Sequence, residues 1–532
     1  MTSRLPGLVL VLLACAARAH AATLCVWTNS PHPGAPYNAW TNAAREIQTA
    51  VTAAQAGDTV LVTNGLYASG SYALPTHAVS NRVLITTSIV VRSVNGPAVT
   101  VIRGRSAGES GERRCVYITG GGQLSGFTLT NGAARGGACW QDGLGGGALI
   151  EVSGTISNCV VCSNSATYGG GIAAYYGGEV RNCLVYGNAA GLGSWFYGGG
   201  FYGSQGAAVY DSVFSNNLSE IGGGVGLEGN CRISRCVMRN NRATSGAGAS
   251  TRGGDILENC VIVSNVASIS GGGISFSSGG GQVRNCTVYG NAAQQNSGAS
   301  GIYCVGQGTL INSIFAQNGN GSENLPASGV GYQADHLCTT PSPSNGTGHV
   351  LLDPLLLSDY RLSSSSPCID AGCTNGPDND LARVVRPLDG NADGISARDI
   401  GAYEYVHPLA DSDSDGLRDT NELAAGTSPI YLDTDGDGMG DNAEQRAGTD
   451  ALSASSFLYA AAVGPTNAGA GFLIRWPGVT GKRYRVERAT NASPAAFTYF
   501  VQTNVAGTAP LNVATDTTAS GSGPWFYRIR LE

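Results

Sequence analysis

The chain has 532 residues and a formal net charge of −7, and glycine fills 79 positions. That length allows roughly two to four domains, the 42% hydrophobic content is too high for a disordered chain, and no Gly-X-Y period marks a collagen. The acidic balance argues against a nucleic-acid partner held by a basic surface.

The N-terminus reads as an address. Met1–Arg4 is basic, Leu8–Ala17 is apolar, and Ala19-His20-Ala21 is a small-x-small cleavage site. Residues 1–21 are read as a secretory signal peptide cut after Ala21, because the apolar run is too short to span a bilayer. A lipoprotein reading at Cys15 is weaker, since the run continues past it. No later stretch of about 18 apolar residues follows, so the mature chain is expected to carry no transmembrane segment. The expected location is secreted, extracellular or at the cell surface.

Residues 22–105 read as an N-terminal cap and the first coils. Asn42–Ala56 has helical periodicity, with Ala43, Ile47, Ala50, Val51 and Ala54 on one face and Thr41 or Asn42 as cap. Asp58–Val62 then reads as a strand. A helix over the first coil would block end-to-end strand pairing.

Residues 106–405 repeat. Asparagine closes eight similar segments at Asn131, Asn164, Asn188, Asn217, Asn241, Asn265, Asn291 and Asn318, spaced 33, 24, 29, 24, 24, 26 and 27 residues apart. Within them the second position is small and the fourth mostly bulky, as in Cys183 and Val185. An aliphatic such as Val180 stands two residues before each of seven segments. Short alternating stretches are strands with one buried face. The step of three between the aliphatic and the small position breaks the alternation and requires a bend. Glycine clusters such as Gly169–Gly171 supply tight corners. A period of about 24–27 residues fits one coil of three short strands stacked at about 4.8 Å, which makes the fold an all-β parallel β-helix, a solenoid of about eight to ten coils. The recurring asparagine is expected to be buried at a corner and to bond backbone.

AREIQTAVTAAQAGDTVLVTNGLY, the NCxxxxN coils with GGG corners, SSSSPCIDAG and DIGAYEY (399–405) together resemble the bacterial right-handed parallel β-helix proteins, more narrowly the exported choice-of-anchor type. The resemblance covers about residues 22–405. It implies the pectin-lyase-like fold and export, and does not by itself imply catalysis.

Polysaccharide lyases and hydrolases of such a fold need converging side chains on one outer face, for hydrolases a carboxylate pair. Here no Asp-Asp dipeptide occurs, and residues 120–320 contain no histidine or lysine. Glu228 with Arg232, Arg235 and Arg239, and Asp255 with Arg252, keep an enzyme reading alive; the plainer reading is a solvated face with cross-coil ion pairs. Tyr168, Tyr175, Tyr176, Trp195, Phe196, Tyr197, Phe201 and Tyr202 either stack on sugars or cover long turns. Cys159, Cys183, Cys236, Cys260 and Cys286 share one repeat position and read as a buried thiol ladder, and one bridge is expected among Cys338, Cys368 and Cys373.

Residues 409–452 carry the sharpest chemistry. Between Asp411 and Asp450 eleven acids stand against two arginines. Asp411-x-Asp413-x-Asp415-Gly416-x5-Glu422 and Asp433-x-Asp435-x-Asp437-Gly438-x5-Glu444 both fit the twelve-residue calcium loop. In each, alternating Asp side chains, the seventh-position carbonyl (Leu417, Met439) and the terminal Glu supply oxygens. Asp419 and Asp441, at the ninth position, complete the expected ligand set for calcium. The 22-residue spacing is too short for two full helix–loop–helix hands and resembles the bacterial thrombospondin type 3 repeat. A third copy, Asp389-x-Asn391-x-Asp393-Gly394, is discounted because Ile400 stands at position twelve. Residues 456–532 read as a small all-β module, a sandwich resembling fibronectin type III, with Trp476 and Tyr484 in its core.

The function expected from these readings is a noncatalytic exported or cell-surface protein, monomeric, binding a polysaccharide or surface ligand through its coils. The alternative is a polysaccharide lyase or glycoside hydrolase acting on the outer face. A purely structural spacer ranks third.

Overall fold

The computed structural model describes residues 21–532 except 106–109, 137–138, 192–196, 296–298, 320–323, 327–330, 461, 466–470, 494–495 and 520–523. Residues 1–20 of the expected signal peptide, Trp195 and Phe196 therefore lie outside the described residues. The chain winds as a parallel β-solenoid of about 10 turns, followed by two short acidic loop–helix repeats and an antiparallel β module. By contacts it divides into two compact units. The first runs to Asp255 and adds Ser264–Ser277 and Ala293–Ser297; the second holds Ile256–Val263, Ser278–Ala292 and the residues from 298 to Glu532.

In the first unit three parallel ladders form the coil walls. One stacks Thr23–Val26, Thr59–Val62, Val90–Ser93, Gln123–Ser125, Thr155–Ser157, Glu179–Arg181, Ala208–Tyr210 and Arg232–Ser234. A second runs from Gly65–Tyr67 to Val237–Arg239, and a third from Ser80–Ile85 to Ile274–Phe276. Alternation decides which side chains enter. Ile156, Val180, Val209 and Ile233 stack on the first wall, Val161, Val185, Phe214 and Met238 on the second, all fully buried. The bend between these walls falls on one residue per coil with left-handed backbone: Asn158, Asn182, Asp211 and Arg235, at φ 50–53°. Asn and Asp tolerate that region better than other side chains, which is why they recur there.

The buried asparagine column holds the next corner. Asn164, Asn188, Asn217 and Asn241 each donate from the backbone N–H and from Nδ2 to Oδ1 of the asparagine one coil on, at 2.9–3.1 Å. Each Nδ2 also reaches a carbonyl of the preceding coil, as Asn241 does to Phe214 at 3.0 Å. Glycine is forced beside this column. A Cβ on Gly200 would lie 2.7 Å from the Gly224 carbonyl and 2.9 Å from Asn217 Nδ2.

Two sequence expectations need correction here. Asn131 is exposed, with φ 56°. Thr128–Thr130 pairs with Val160–Cys162, so Asn131 sits opposite Ser163 and Gly132 opposite Asn164; the first repeat is displaced by one residue. The N-terminal helix, α1, is also shorter, Ile47–Ala53. Ala43 and Ala44 are instead extended and buried. The Ala44 N–H donates to Cys25 O at 2.9 Å and the Trp27 N–H to Ala44 O at 2.8 Å, so this segment covers the edge at Thr23–Val26. Neither Thr41 nor Asn42 caps α1, whose N-cap is Glu46. From α1 the Gln48 amide pairs with both backbone groups of Leu84, at 2.6 and 3.1 Å, covering another strand edge.

The second unit continues with the same coil chemistry. Asn291 donates to Asn318, and Asn318 to Asn324, at 2.9–3.0 Å. Asn324 lies six residues beyond Asn318 and was not marked by the repeat. Cys338 and Cys368 share a buried cluster with Ile314 and Ile400, and Cys338, Cys368 and Cys373 are all free thiols rather than bridged. The C-terminal module has two three-stranded antiparallel sheets. Trp476 and Tyr484, both fully buried, meet edge to face at 5.9 Å in the core between them. Its strands Ala462–Pro465 and Leu511–Asp516 were not marked in the sequence.

Candidate functional site

In the second unit, each acidic loop is followed by a seven-residue helix, α2 at Asp419–Ala425 and α3 at Asp441–Ala447. The sixth-position glycines, Gly416 and Gly438, turn at φ 96° and 95°. The first Asp closes each loop: Asp411 Oδ2 accepts the Gly416 N–H at 2.9 Å and Asp433 Oδ2 the Gly438 N–H at 2.8 Å. Asp411, Asp413 and Asp415 bring ligand oxygens within 4.8 Å of one another, as do Asp433, Asp435 and Asp437.

Each loop also carries buried side-chain oxygens without hydrogen-bond partners. They are Asp411 Oδ1, Asp413 Oδ2 and both oxygens of Glu422 in the first, and Asp435 Oδ2, Asp437 Oδ2 and both oxygens of Glu444 in the second. Glu422 and Glu444 are fully buried. Burial first, then the neighbouring Asp charges, pushes the Glu422 carboxyl up to about 8, Glu444 to about 7 and Asp413 to about 6. Leaving such groups unpaired is costly, and the donor set is all oxygen, which suits a hard cation such as calcium.

Asp419 and Asp441, at the ninth positions, are tied to the start of their own loops. Both oxygens of Asp419 accept from Ser412, N–H at 2.7 Å and hydroxyl at 2.6 Å, and Thr434 holds Asp441 in the same way at 2.9 and 2.6 Å. The ninth-position acids thus clamp the start of each loop. The loops also interlock: the Asn442 N–H donates to Asp415 Oδ2 and its Nδ2 to Asp415 O, both at 2.9 Å. The Asp389 loop makes the same internal bonds, with Gly394 N–H on Asp389 Oδ2 at 2.9 Å, yet Ile400 is buried in the core and none of Asp389, Asn391 and Asp393 has an orphaned buried oxygen.

A second candidate lies in the first unit, on the outer face of the third wall. Tyr117, Leu149, Ala173, Tyr175, Tyr197 and Tyr202 form an apolar cluster there. Trp140 packs on Tyr168 at 4.6 Å and meets Tyr202 at 6.3 Å, and Tyr176 packs on Tyr175 at 4.8 Å. Trp140 and Tyr176 stay about half exposed, at 49% and 54%. With Gln141, Ser204 and Gln205, the rings of Trp140, Tyr175, Tyr176 and Tyr202 line a recess of about 270 Å³. Two carboxylates hold tyrosines of its lining, Tyr175 and Tyr202. Glu151 accepts the hydroxyls of Tyr117, at 2.7 Å, and Tyr175; Glu228 accepts Tyr202 at 3.0 Å and pairs with Arg252 at 3.2 Å.

Phe201, grouped with these aromatics in the sequence, points inward against Phe214 instead. The arginine–acid cluster also separates. Arg232 belongs to the first wall and Arg239 to the second, while Arg235 pairs with Asp211 at 2.7 Å. Asp255 is fully buried, accepting the N–H groups of Cys231 and Arg252 at 2.8 Å each, and burial raises its carboxyl to about 6. Arg235–Asp211 and Cys231–Asp255 are cross-coil contacts, 24 residues apart in sequence. Trp140 carries no repeat signal of its own, although its insertion is visible as the 33-residue spacing, the longest between repeats.

Residues 411–430 and 433–454 match the Bacterial TSP3 repeat. Among solved structures the chain resembles pectate lyase Pel9A at 16% identity, with 72% of this chain and 97% of that one covered and a TM-score of 0.45. It resembles XylC in complex with xylose at 10% identity, covering 72% and 98%, TM-score 0.41. A family 28 exopolygalacturonase of Yersinia enterocolitica matches at 13% identity over 62% and 68%, TM-score 0.22. No curated protein matches the chain. Among the described residues no helix is long and apolar enough to cross a membrane.

Proposed function

We propose that this is an exported, extracellular or cell-surface carbohydrate-binding protein with a calcium-stiffened repeat segment, acting without catalysis. The observation that carries the binding reading is the half-exposed pair Trp140 and Tyr176 beside a polar-floored recess. Aromatic faces with a few fixed polar groups suit ligands that are apolar on one face and hydroxylated at the edge. Glu151 and Glu228 are each engaged by tyrosine hydroxyls, and this supports binding over hydrolysis, which needs two carboxyl groups facing one bond.

In the repeats, the side chains of Asp411, Asp413, Asp415 and Glu422 with the Leu417 carbonyl hold one calcium ion. Asp433, Asp435, Asp437 and Glu444 with the Met439 carbonyl hold the other. Asp419 and Asp441 position the loops through Ser412 and Thr434. Bound calcium neutralises the acids and lets the loops stay folded. Extracellular modules of this class bind at about 10⁻⁴–10⁻³ M, so millimolar calcium outside a cell fills them.

The test is affinity electrophoresis on a panel of polysaccharides in millimolar calcium, with reducing-sugar and unsaturated-product assays on the same panel. Retardation by at least one polymer without product formation is expected. Turnover of any polymer would overturn the noncatalytic reading in favour of the lyase or hydrolase, and absence of retardation by all of them would overturn carbohydrate binding.

A further inference from the structure

We propose that His77, Cys139 and Asp142 form a binding site for a borderline-soft divalent metal ion, with zinc the best match, separate from the calcium loops. The three residues come from two distant stretches of chain, yet a ring nitrogen of His77, the Cys139 sulfur and a carboxylate oxygen of Asp142 lie within 4.8 Å of one another. The His77 Nδ1 to Asp142 Oδ1 distance is 3.6 Å. That is too long for a hydrogen bond. It is close to the separation of two ligands on a tetrahedral zinc ion, about 3.3–3.5 Å for bonds of about 2.0–2.1 Å.

The site is built by contacts that need no metal. The fully buried Asp142 carboxylate accepts the N–H groups of Ala78 at 3.1 Å, Val79 at 3.2 Å and Cys139 at 3.2 Å. Those bonds pin the two residues after His77 against the turn at Trp140–Gly143. Beneath the turn, buried Arg114 donates to the carbonyls of Gln141, Leu144 and Gly145 at 2.8–2.9 Å. Tyr117 meets the His77 ring edge-on at 5.9 Å. His77 and Cys139 keep some solvent contact, which gives an ion its entry path.

The donor set names the ion class. Thiolate plus imidazole plus carboxylate is borderline-soft, suited to zinc, whereas calcium takes oxygen alone. Binding displaces the Cys139 thiol proton to solvent, leaving a fourth position for water. Trp140 and Gln141 ride on the turn so held, so the ion would stiffen one wall of the aromatic recess; the proposal stands independently of what that recess binds.

The test uses the full-length protein with the acidic loops saturated by millimolar calcium, titrated with cobalt(II) as a spectroscopic probe for zinc. A thiolate-to-cobalt charge-transfer band is expected, saturating at one equivalent and abolished by zinc; oxygen-only loops cannot give it. Cys139→Ser should lose the band, and His77→Ala, which removes a ligand, should weaken cobalt binding by at least the roughly 10–100-fold that loss of an outer-shell partner costs. Absence of the band in the unsubstituted protein, or its survival in Cys139→Ser, would overturn the site. Should a variant fail to fold, alkylation of Cys139 in the unsubstituted protein, mapped by mass spectrometry, decides: zinc should protect it, and equal labelling with and without zinc refutes the proposal.

Discussion

At the scale of single residues, the coil corners depend on amide geometry. Asn241 takes part in a continuous column, donating from N–H and Nδ2 to Asn265 and from Nδ2 to Phe214 O, all inside the solenoid. Alanine there leaves buried backbone groups unmet, so Asn241→Ala is expected to lower stability by about 1–3 kcal/mol, read from denaturant unfolding. At the exposed corner residue Asn131, glycine, which suits its left-handed backbone, should be tolerated far better, and a loss at Asn131→Gly equal to that at Asn241→Ala would contradict the column. The column was legible in the sequence because a buried amide recurs at fixed spacing. Its first member was misplaced because asparagine also suits the left-handed corner one residue earlier, where Asn131 stands at φ 56°. Residue identity cannot separate two positions that favour the same side chain for different reasons.

At the scale of elements, the acidic loops carry the strongest condition dependence. Without a cation, Glu422 and Glu444 lie buried among like charges. Limited proteolysis is therefore expected to cut within residues 411–450 in chelator and to spare them in millimolar calcium. Identical cleavage in both conditions would remove the calcium role. The pH response has a definite sign. Carboxyls raised to about 8, 7 and 6 in the fold, against ordinary values of 4.5, 4.5 and 3.8, disfavour folding when ionised. The metal-free loops should become more protease-resistant as pH falls from about 8 to about 5, as these groups take up protons, while calcium affinity falls over the same window because protons compete for the same oxygens. Loop spacing was readable here, since ligand chemistry fixes it; the short helices Asp419–Ala425 and Asp441–Ala447 that follow the loops were not. The reach of α1 was not: Ala43 and Ala44 fit a helical face, but strand Thr23–Val26 needed a covering partner and took them as extended chain. The clamp roles of Asp419 and Asp441 were equally hidden, because Ser412 and Thr434 look like loop filler until the loop closes.

At the scale of the whole molecule, coil-to-coil repetition leaves function to the places where repetition fails. The recess aromatics sit in and beside the two longest coils. Trp140→Ala or Tyr176→Ala is expected to weaken binding of any retained polysaccharide about tenfold, roughly 1.4 kcal/mol, with unchanged unfolding, measured by affinity electrophoresis. Unaltered binding in both would place the ligand elsewhere. The parallel fold itself was plain in the sequence, whereas the recess needed three coils brought side by side before its rings could be seen to meet. Along the same solenoid, Cys115, Cys159, Cys183, Cys231, Cys286 and Cys304 are free thiols buried in the wall. A folded chain hides them from oxidants, and an unfolded one in an oxidising compartment offers them all for random cross-linking, on a timescale of seconds to hours. Under oxidising conditions coil assembly would be a race that only one direction of travel can win: once closed, the wall protects its own sulfur, but a chain melted in air should not find its way back, whereas one melted under reductant should.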